Sequence, residues 1–244
     1  MSRRWDEGRF NAVYDDAVVG GTFQEVPEYY DRYRARYRDV MKLYAEVAPP
    51  ESQATLEVGG GQLALLSSRL WGDRADVADI DGPHFDYLRS SGVGVFEWNL
   101  LDDQSPVPGG YDTVFFSEVI EHLPVAGHEP LAKLRSTLKP GGLLVCTTPN
   151  LYRPRNIVFL ALGQPIFDHF RVPAEGGLGH VLEYSSDHLE WQIREAGFTE
   201  VDVRFHQVGH RPNKPIFRMM QAVGRPLFYF PRFRDNLFAV ARNT

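Results

Sequence analysis

From about residue 54 to residue 148 the chain alternates short apolar runs with helix-patterned segments, and this alternation restricts the fold more than any other feature. Strand-length runs fall near 54–58, 75–80, 94–98, 111–117 and 143–148, with helical patterns at 62–71, 83–90 and 128–138 between them. Strands that alternate with helices build βαβ units, whose strands pair in parallel and whose crossovers are right-handed. The expected fold class is therefore α/β, a doubly wound, mostly parallel sheet. Lys139-Pro140-Gly141-Gly142 is placed to stop the third helix. A further helix over 185–196 has Ser185 or Ser186 for its N-cap and Gly197 beyond its end. Two late strands, near 199–206 and 236–242, complete the sheet.

Residues 27–47 read as a helix ahead of the first strand, so residues 1–50 form an N-terminal helical extension placed to cover a pocket. The remainder, 51–244, reads as one domain without repeats or a linker. Its segment 149–184, rich in proline, glycine and aromatic residues, is the main insertion and is expected to be a substrate-facing lid.

Charge and cysteine content bound the partners. The net charge of −6 is uneven: residues 204–244 hold eight Lys and Arg against one acid, Asp235, which leaves −13 on residues 1–203. The basic tail also carries Phe217, Phe228, Tyr229, Phe230 and Phe233, a mix that suits peripheral contact with a membrane surface or an anionic partner. Aromatics packed on the sheet with solvated arginines around them are the expected outcome. An acidic chain without a basic stripe outside its tail disfavours nucleic acid. Cys146, the single cysteine, forms no internal disulfide, and the start Met1-Ser2-Arg3-Arg4-Trp5 lacks a secretory apolar core, so a reducing cytoplasm is expected. No apolar run approaches the ~20 residues that span a bilayer. A homodimer is compatible with the composition.

Two motifs carry chemistry. After the first strand, Glu57-Val58-Gly59-Gly60-Gly61-Gln62-Leu63-Ala64 is a strand-to-helix turn that lets backbone approach a ligand. It satisfies G-x-G-x-x-A, and Asp79 or Asp81 lies about 20 residues on, where an acid binds ribose hydroxyls. A dinucleotide enzyme meets that description. Glu57 argues for S-adenosylmethionine instead, because an acid at the strand end suits a cationic amino-acid moiety and repels a pyrophosphate. The second motif, Ser117-Glu118-Val119-Ile120-Glu121-His122, follows the run Tyr111–Phe116. In a helical turn, positions i, i+3 and i+4 share a face, so Glu118, Glu121 and His122 would converge on one point, a candidate metal site at the carboxyl end of a strand.

The succession Glu57-Val58-Gly59-Gly60-Gly61, Asp79-Ile80-Asp81, Asn99-Leu100, Tyr111 through His122, and Lys139-Pro140-Gly141-Gly142 resembles the class I S-adenosylmethionine-dependent methyltransferases over residues 54–148. No Tyr-x-x-x-Lys pair is present to serve a short-chain dehydrogenase. The resemblance implies a Rossmann-like, seven-stranded sheet with a reversed last strand. It implies that Glu57, Gly59 and Gly61 hold the methionine end, with Asp81, or else Asp79, on the ribose. Asn99 and Leu100 would then sit beside adenine, and the Ser117 carbonyl near the amino group. With Thr148-Pro149-Asn150 and Gly179-His180-Val181-Leu182-Glu183-Tyr184, the chain also resembles metal-dependent small-RNA 2′-O-methyltransferases and ubiquinone-biosynthesis O-methyltransferases. That resemblance implies a divalent ion held by Glu118, Glu121, His122 and His180; mixed carboxylate and imidazole ligands admit magnesium, manganese, iron, cobalt and zinc, with Mg²⁺ or Mn²⁺ expected. Catalysis would fall to His122, His180 and Glu121, with the histidines also eligible as general bases without metal.

Tyr152, Arg153 and Arg155 in the lid suit a sugar or a phosphate-bearing acceptor. The closing run 231–241 resembles bacterial methyltransferases of glycan and sugar-antibiotic clusters. The expected reaction is therefore O-methylation of a small-molecule or oligosaccharide hydroxyl, of mannose or rhamnose type. A quinone or polyketide phenol, RNA 2′-O-methylation, and a non-catalytic cofactor-binding scaffold are the alternatives.

Overall fold

The apolar runs become the strands of a single sheet in the computed structural model of the chain, which describes residues 3–51, 53–80, 82–167, 179–208 and 229–244. Helices α1 (Glu7–Tyr14) and α2 (Pro27–Val47) precede β1 (Ala54–Val58). Then follow α3 (Gln62–Trp71), β2 (Arg74–Asp79), α4 (Phe85–Ser90), β3 (Gly94–Glu97) and β4 (Tyr111–Ser117). The chain continues through α5 (His128–Thr137), β5 (Leu138–Pro149), α6 (Pro154–Ala161), α7 (Ser186–Glu195), β6 (Thr199–His206) and β7 (Asn236–Arg242). The strand order is β3-β2-β1-β4-β5-β7-β6. Only β7 is reversed: it runs antiparallel to β5 and β6, whereas β1 to β5 pair in parallel.

Strand periodicity divides the core between the two faces of this sheet. Phe115, Leu143, Val145, Phe238 and Val240 pack against α1, α2 and α3. Their neighbours Val114, Phe116, Leu144, Cys146, Leu237 and Ala239 pack against α5 and α7 on the opposite face. Because α1 and α2 contribute Phe10, Tyr14, Tyr37, Met41 and Tyr44 to the first of these clusters, the N-terminal extension shares its core with the sheet. Arg3 fastens the chain's start: its guanidinium meets both carboxylate oxygens of Asp73, at 2.9 and 2.8 Å.

Two boundaries differ from expectation. Helix α5 ends at Thr137, and β5 begins at once at Leu138 and continues through Lys139–Gly142, with a register irregularity against β4 between Tyr111 and Thr113. The lid segment contains a helix of its own, α6, with Pro154 at its first turn. Among the described residues no helix is long and apolar enough to cross a membrane.

From β1 the chain crosses to β2 on one side, and from β4 it crosses to β5 on the other. That makes the carboxyl ends of β1 and β4 the topological switch point, where open α/β sheets bind ligands. The glycine turn leaves β1 there, and the Glu118–His122 segment leaves β4.

Candidate active site

Gly59, Gly60 and Gly61 have φ of +86°, +94° and +105°, a run of backbone that glycine alone adopts without strain. A Cβ on Gly59 would lie 2.6 Å from Val119 Cγ2, so the turn abuts the segment leaving β4 and has no room for a side chain. Gly60 N donates to Asp79 Oδ2 at 3.0 Å, and Ile80 N to Asp79 Oδ1 at 2.7 Å. The second ribose candidate thus also shapes the turn. Asp81, the first candidate, lies outside the described residues, as do His169 and His210.

Glu57 is engaged by the turn itself: its Oε2 accepts the Ala64 N–H at 2.7 Å, and the N–H groups of Gly61 and Leu63 also bond to the carboxyl, at the start of α3. The first N–H groups of a helix lack intrahelical partners, and an acceptor oxygen placed among them satisfies them. Gly61 follows suit: a Cβ there would meet Leu88 Cδ1 of α4 at 2.7 Å, so its bare Cα serves packing. Burial pushes the Glu57 pKa from 4.5 up to about 8, against the lowering by those N–H groups. A carboxyl that binds its proton more tightly when folded contributes stability that falls as pH rises between about 4.5 and 8. Glu57→Gln keeps an acceptor oxygen and removes the titration. Its urea midpoint is therefore expected to decline less than the wild-type midpoint between pH 5.5 and pH 8.

Beyond β3, Trp98 N donates to Asp79 O at 2.8 Å, extending the β2–β3 pairing into the loop. Asn99 Oδ1 accepts from Leu101 N at 3.0 Å and Asn99 O from Asp102 N at 2.9 Å, so Asn99 folds its own turn, while Leu100 is buried. Ser117 Oγ shares a hydrogen bond with Thr147 Oγ1 at 2.7 Å, leaving the strand-end backbone as its contribution to the crevice.

The expected helical turn at 118–122 is only a 3₁₀ turn, Ile120–His122. Glu118 stands before it with φ +57°, outside helical geometry, so the i, i+3, i+4 argument does not reach it. Its carboxylate is held by Arg36 of α2 at 3.0 Å, Thr147 Oγ1 at 3.0 Å and Asn236 Nδ2 at 2.9 Å. Glu118 therefore leaves the expected four-ligand set. The other three come together: Glu121, His122 and His180 present ligand atoms all within 4.8 Å of one another. Val181 N and Leu182 N both donate to Glu121 O, at 2.8 and 3.2 Å, which brings the His180 segment to the β4 exit.

The chemistry of this triad follows from its hydrogen bonds. His122 Nδ1 lies 3.1 Å from Gly179 O, and a carbonyl only accepts, so Nδ1 carries the proton and Nε2 the lone pair. His180 Nδ1 lies 3.1 Å from Glu183 Oε1, which sets the same tautomer. Glu183 is itself held by Arg153 and Asn156, and its pKa is lowered by His180 and Arg153 in spite of burial. Glu121 is fully buried. Thr148 Oγ1 donates to its Oε2 at 3.0 Å, whereas Oε1 has no hydrogen-bond partner. Burial, then repulsion from Glu118, raises the Glu121 pKa well above the ordinary carboxylate value. A buried, unpartnered carboxylate oxygen beside two imidazole lone pairs is a donor set that fits a divalent cation.

A family model described as a methyltransferase domain matches residues 30–203 of the 244. The chain belongs to that family. Solved structures agree with the fold of this methyltransferase. A possible histamine N-methyltransferase from Thermotoga maritima superposes with a TM-score of 0.59 at 13% identity, covering 89% of this chain and 93% of that one. A putative methyltransferase from Haloferax volcanii, solved in complex with the Trm112 activator, gives 0.61 at 17%, covering 98% and 99%. Magnesium protoporphyrin IX methyltransferase from Synechocystis, solved with S-adenosylhomocysteine, gives 0.58 at 12%, covering 97% and 94%. No curated protein sequence matches the chain. The family match makes the chain a methyltransferase-domain protein, and the solved structures show that its fold is the Rossmann-like methyltransferase fold.

Arg36 and Glu183 escaped the sequence reading for different reasons. Arg36 sits in the arginine-rich run Arg32–Arg38 and meets Glu118 across 82 residues, so nothing local distinguishes it. Glu183 follows His180 by three residues, a spacing that was visible in the sequence. Arg153, expected to reach an acceptor, is spent on Glu183, and Arg155 lies over the Phe159 ring. In the tail, Arg204 pairs with Asp202 and Glu46, and Arg242 with Glu200. The expected packing of the tail aromatics fails at Tyr229 and Phe230, which are exposed, whereas Phe217 and Phe228 lie outside the described residues.

Proposed function

We propose that this methyltransferase methylates a hydroxyl of a neutral sugar or polysaccharide acceptor at the Glu121–His122–His180 cluster, with a divalent metal bound there. The supporting observation is the convergence of these three donors on the segment that abuts the Gly59 turn. A divalent cation, when bound, lowers the pKa of a hydroxyl and fixes its lone pair toward the methyl group. The protein's part is to hold the two imidazoles and the Glu121 carboxylate together, through Gly179 O, Glu183 and Thr148.

With Glu118 withdrawn, two imidazoles and one carboxylate suit manganese, iron, cobalt or zinc better than magnesium, which prefers oxygen ligands. Arg36 is neutralised by Glu118 and Arg153 by Glu183, so neither is a ready partner for a phosphate, which favours a neutral polyhydroxyl acceptor over RNA. The His180–Glu183 pair supports a second reading, in which His180 removes the hydroxyl proton without metal.

Chelation separates the two. After EDTA treatment and buffer exchange, methylation of mannosides and rhamnosides is expected to fall at least tenfold. Manganese should restore it better than magnesium. Unchanged turnover in the chelated enzyme would leave only the histidine base.

A further inference from the structure

Lys133, half-buried on α5 and in no motif, reaches out of the helix with its ammonium group to a loop 31–33 residues earlier in the chain. Nζ donates to Leu100 O at 3.0 Å and to Asp102 O at 2.7 Å. Those carbonyls bracket the turn closed from inside by Asn99, whose Oδ1 and O accept the N–H groups of Leu101 and Asp102. The turn leaves the carboxyl end of β3, on the crevice side of the sheet, beside the exposed side chains of Ile80 and Leu101. Since Asn99 spends its side-chain oxygen inside the turn, the face offered to a flat base is set by backbone direction. Backbone direction here depends on what clamps the carbonyls.

We infer that Lys133 is a positioning residue for cofactor recognition, holding the Asn99–Asp102 turn as a rigid shelf that reads the adenine base. The inference rests on the reading of Asn99 and Leu100 as the adenine side of the cofactor site. A charged donor on two carbonyls makes stronger bonds than a neutral one and lets the loop present its remaining groups in one orientation before the ligand arrives. Helix α5 is itself anchored, since Gln192 Oε1 of α7 accepts the His128 N–H at 2.7 Å, so the clamp has a fixed base. Leu100, buried beneath the turn, anchors the other side.

The test compares binding of S-adenosylhomocysteine with that of S-inosylhomocysteine, in which hypoxanthine reverses the hydrogen-bonding pattern of the six-membered ring. Wild-type protein is expected to prefer the adenine ligand by about tenfold or more, the scale of a lost hydrogen-bond match. Lys133→Met keeps the aliphatic stem and removes the donors. It should weaken S-adenosylhomocysteine about fivefold to twentyfold, bring the ratio between the two ligands toward unity, and raise KM for the methyl donor with kcat at saturation preserved. Lys133→Arg should keep most of the ratio. Weaker binding in Lys133→Met with the ratio intact would mark plain loss of packing and overturn the inference, as would wild-type protein that binds both ligands equally. Wild-type protein that binds neither would reject the cofactor reading beneath it, whereas binding of both with unequal affinity but no response to Lys133→Met would reject Lys133 alone.

Discussion

On the proposed reaction, replacing His122 with alanine is expected to lower kcat/KM by about 10²–10⁴-fold, whether the proposed acceptor hydroxyl is activated by metal or by a histidine base. Nδ1 of His122 is committed to Gly179 O, so the ring turns Nε2 toward Glu121 Oε1, 3.9 Å away, and its ring centroid lies 4.9 Å from that of His180. Alanine removes a donor from the centre of the cluster and the partner of the Gly179 carbonyl. The side chain is only partly buried, so the melting midpoint should move little, by no more than about 1 kcal/mol in free energy. Binding of S-adenosylhomocysteine should be unchanged, because the glycine turn meets Val119 and not His122. Loss of cofactor binding in step with activity would contradict the assignment. His180→Ala should give a similar loss, and the double variant little more than either alone, as expected of residues that act as a unit.

The sheet was legible in the sequence because each strand is a short apolar run that ends in a turn. Val114 and Phe116 face one core and Phe115 the other, so the parallel strands read as unbroken hydrophobic segments. Position within that sheet then pointed to the candidate site without any side-chain detail. What failed was local geometry under non-local control. The spacing of Glu118, Glu121 and His122 suits a helical face, but Arg36 from α2 holds Glu118, and its backbone is left-handed, φ +57°. Glu57 likewise has a partner that the sequence did not show, since the Ala64 N–H that opens α3 bonds to its carboxyl. In both cases the residue type was read correctly as charged and near the crevice, and its partner was not visible. His180 was found through its sequence surroundings. Only the hydrogen bonds from Val181 and Leu182 to Glu121 O account for its distance from His122.

Asp73→Ala is expected to destabilise the protein by about 3–5 kcal/mol, the range for breaking a buried ion pair by deleting one partner. Asp73 and Arg3 have side chains 0% and 1% exposed, so solvent screening does not weaken the pair. Asp73 accepts four hydrogen bonds: two from Arg3 at 2.9 and 2.8 Å, one from Tyr44 Oη at 2.8 Å and one from Gln53 N at 2.9 Å. Arg3 would keep only its bonds to the carbonyls of Pro49 and Glu51, leaving a buried charge without a counter-ion. At about 2–4 °C per kcal/mol for a chain of this size, the midpoint should fall by on the order of 10 °C. Arg3→Met removes the charge while filling much of the same volume between the Tyr44 and Trp71 rings. Asp73 still keeps its bonds from Tyr44 and Gln53, and the double variant Arg3→Met, Asp73→Asn should recover part of the loss. The same comparison tests whether residues 1–50 fold as part of the sheet domain. The network joins the chain's start to the segment before β1 and to the turn before β2, so one cooperative transition should shift as a whole. A separate low-temperature transition carrying the fluorescence of Trp5 and of the α1 and α2 tyrosines would instead mark the extension as an independent unit.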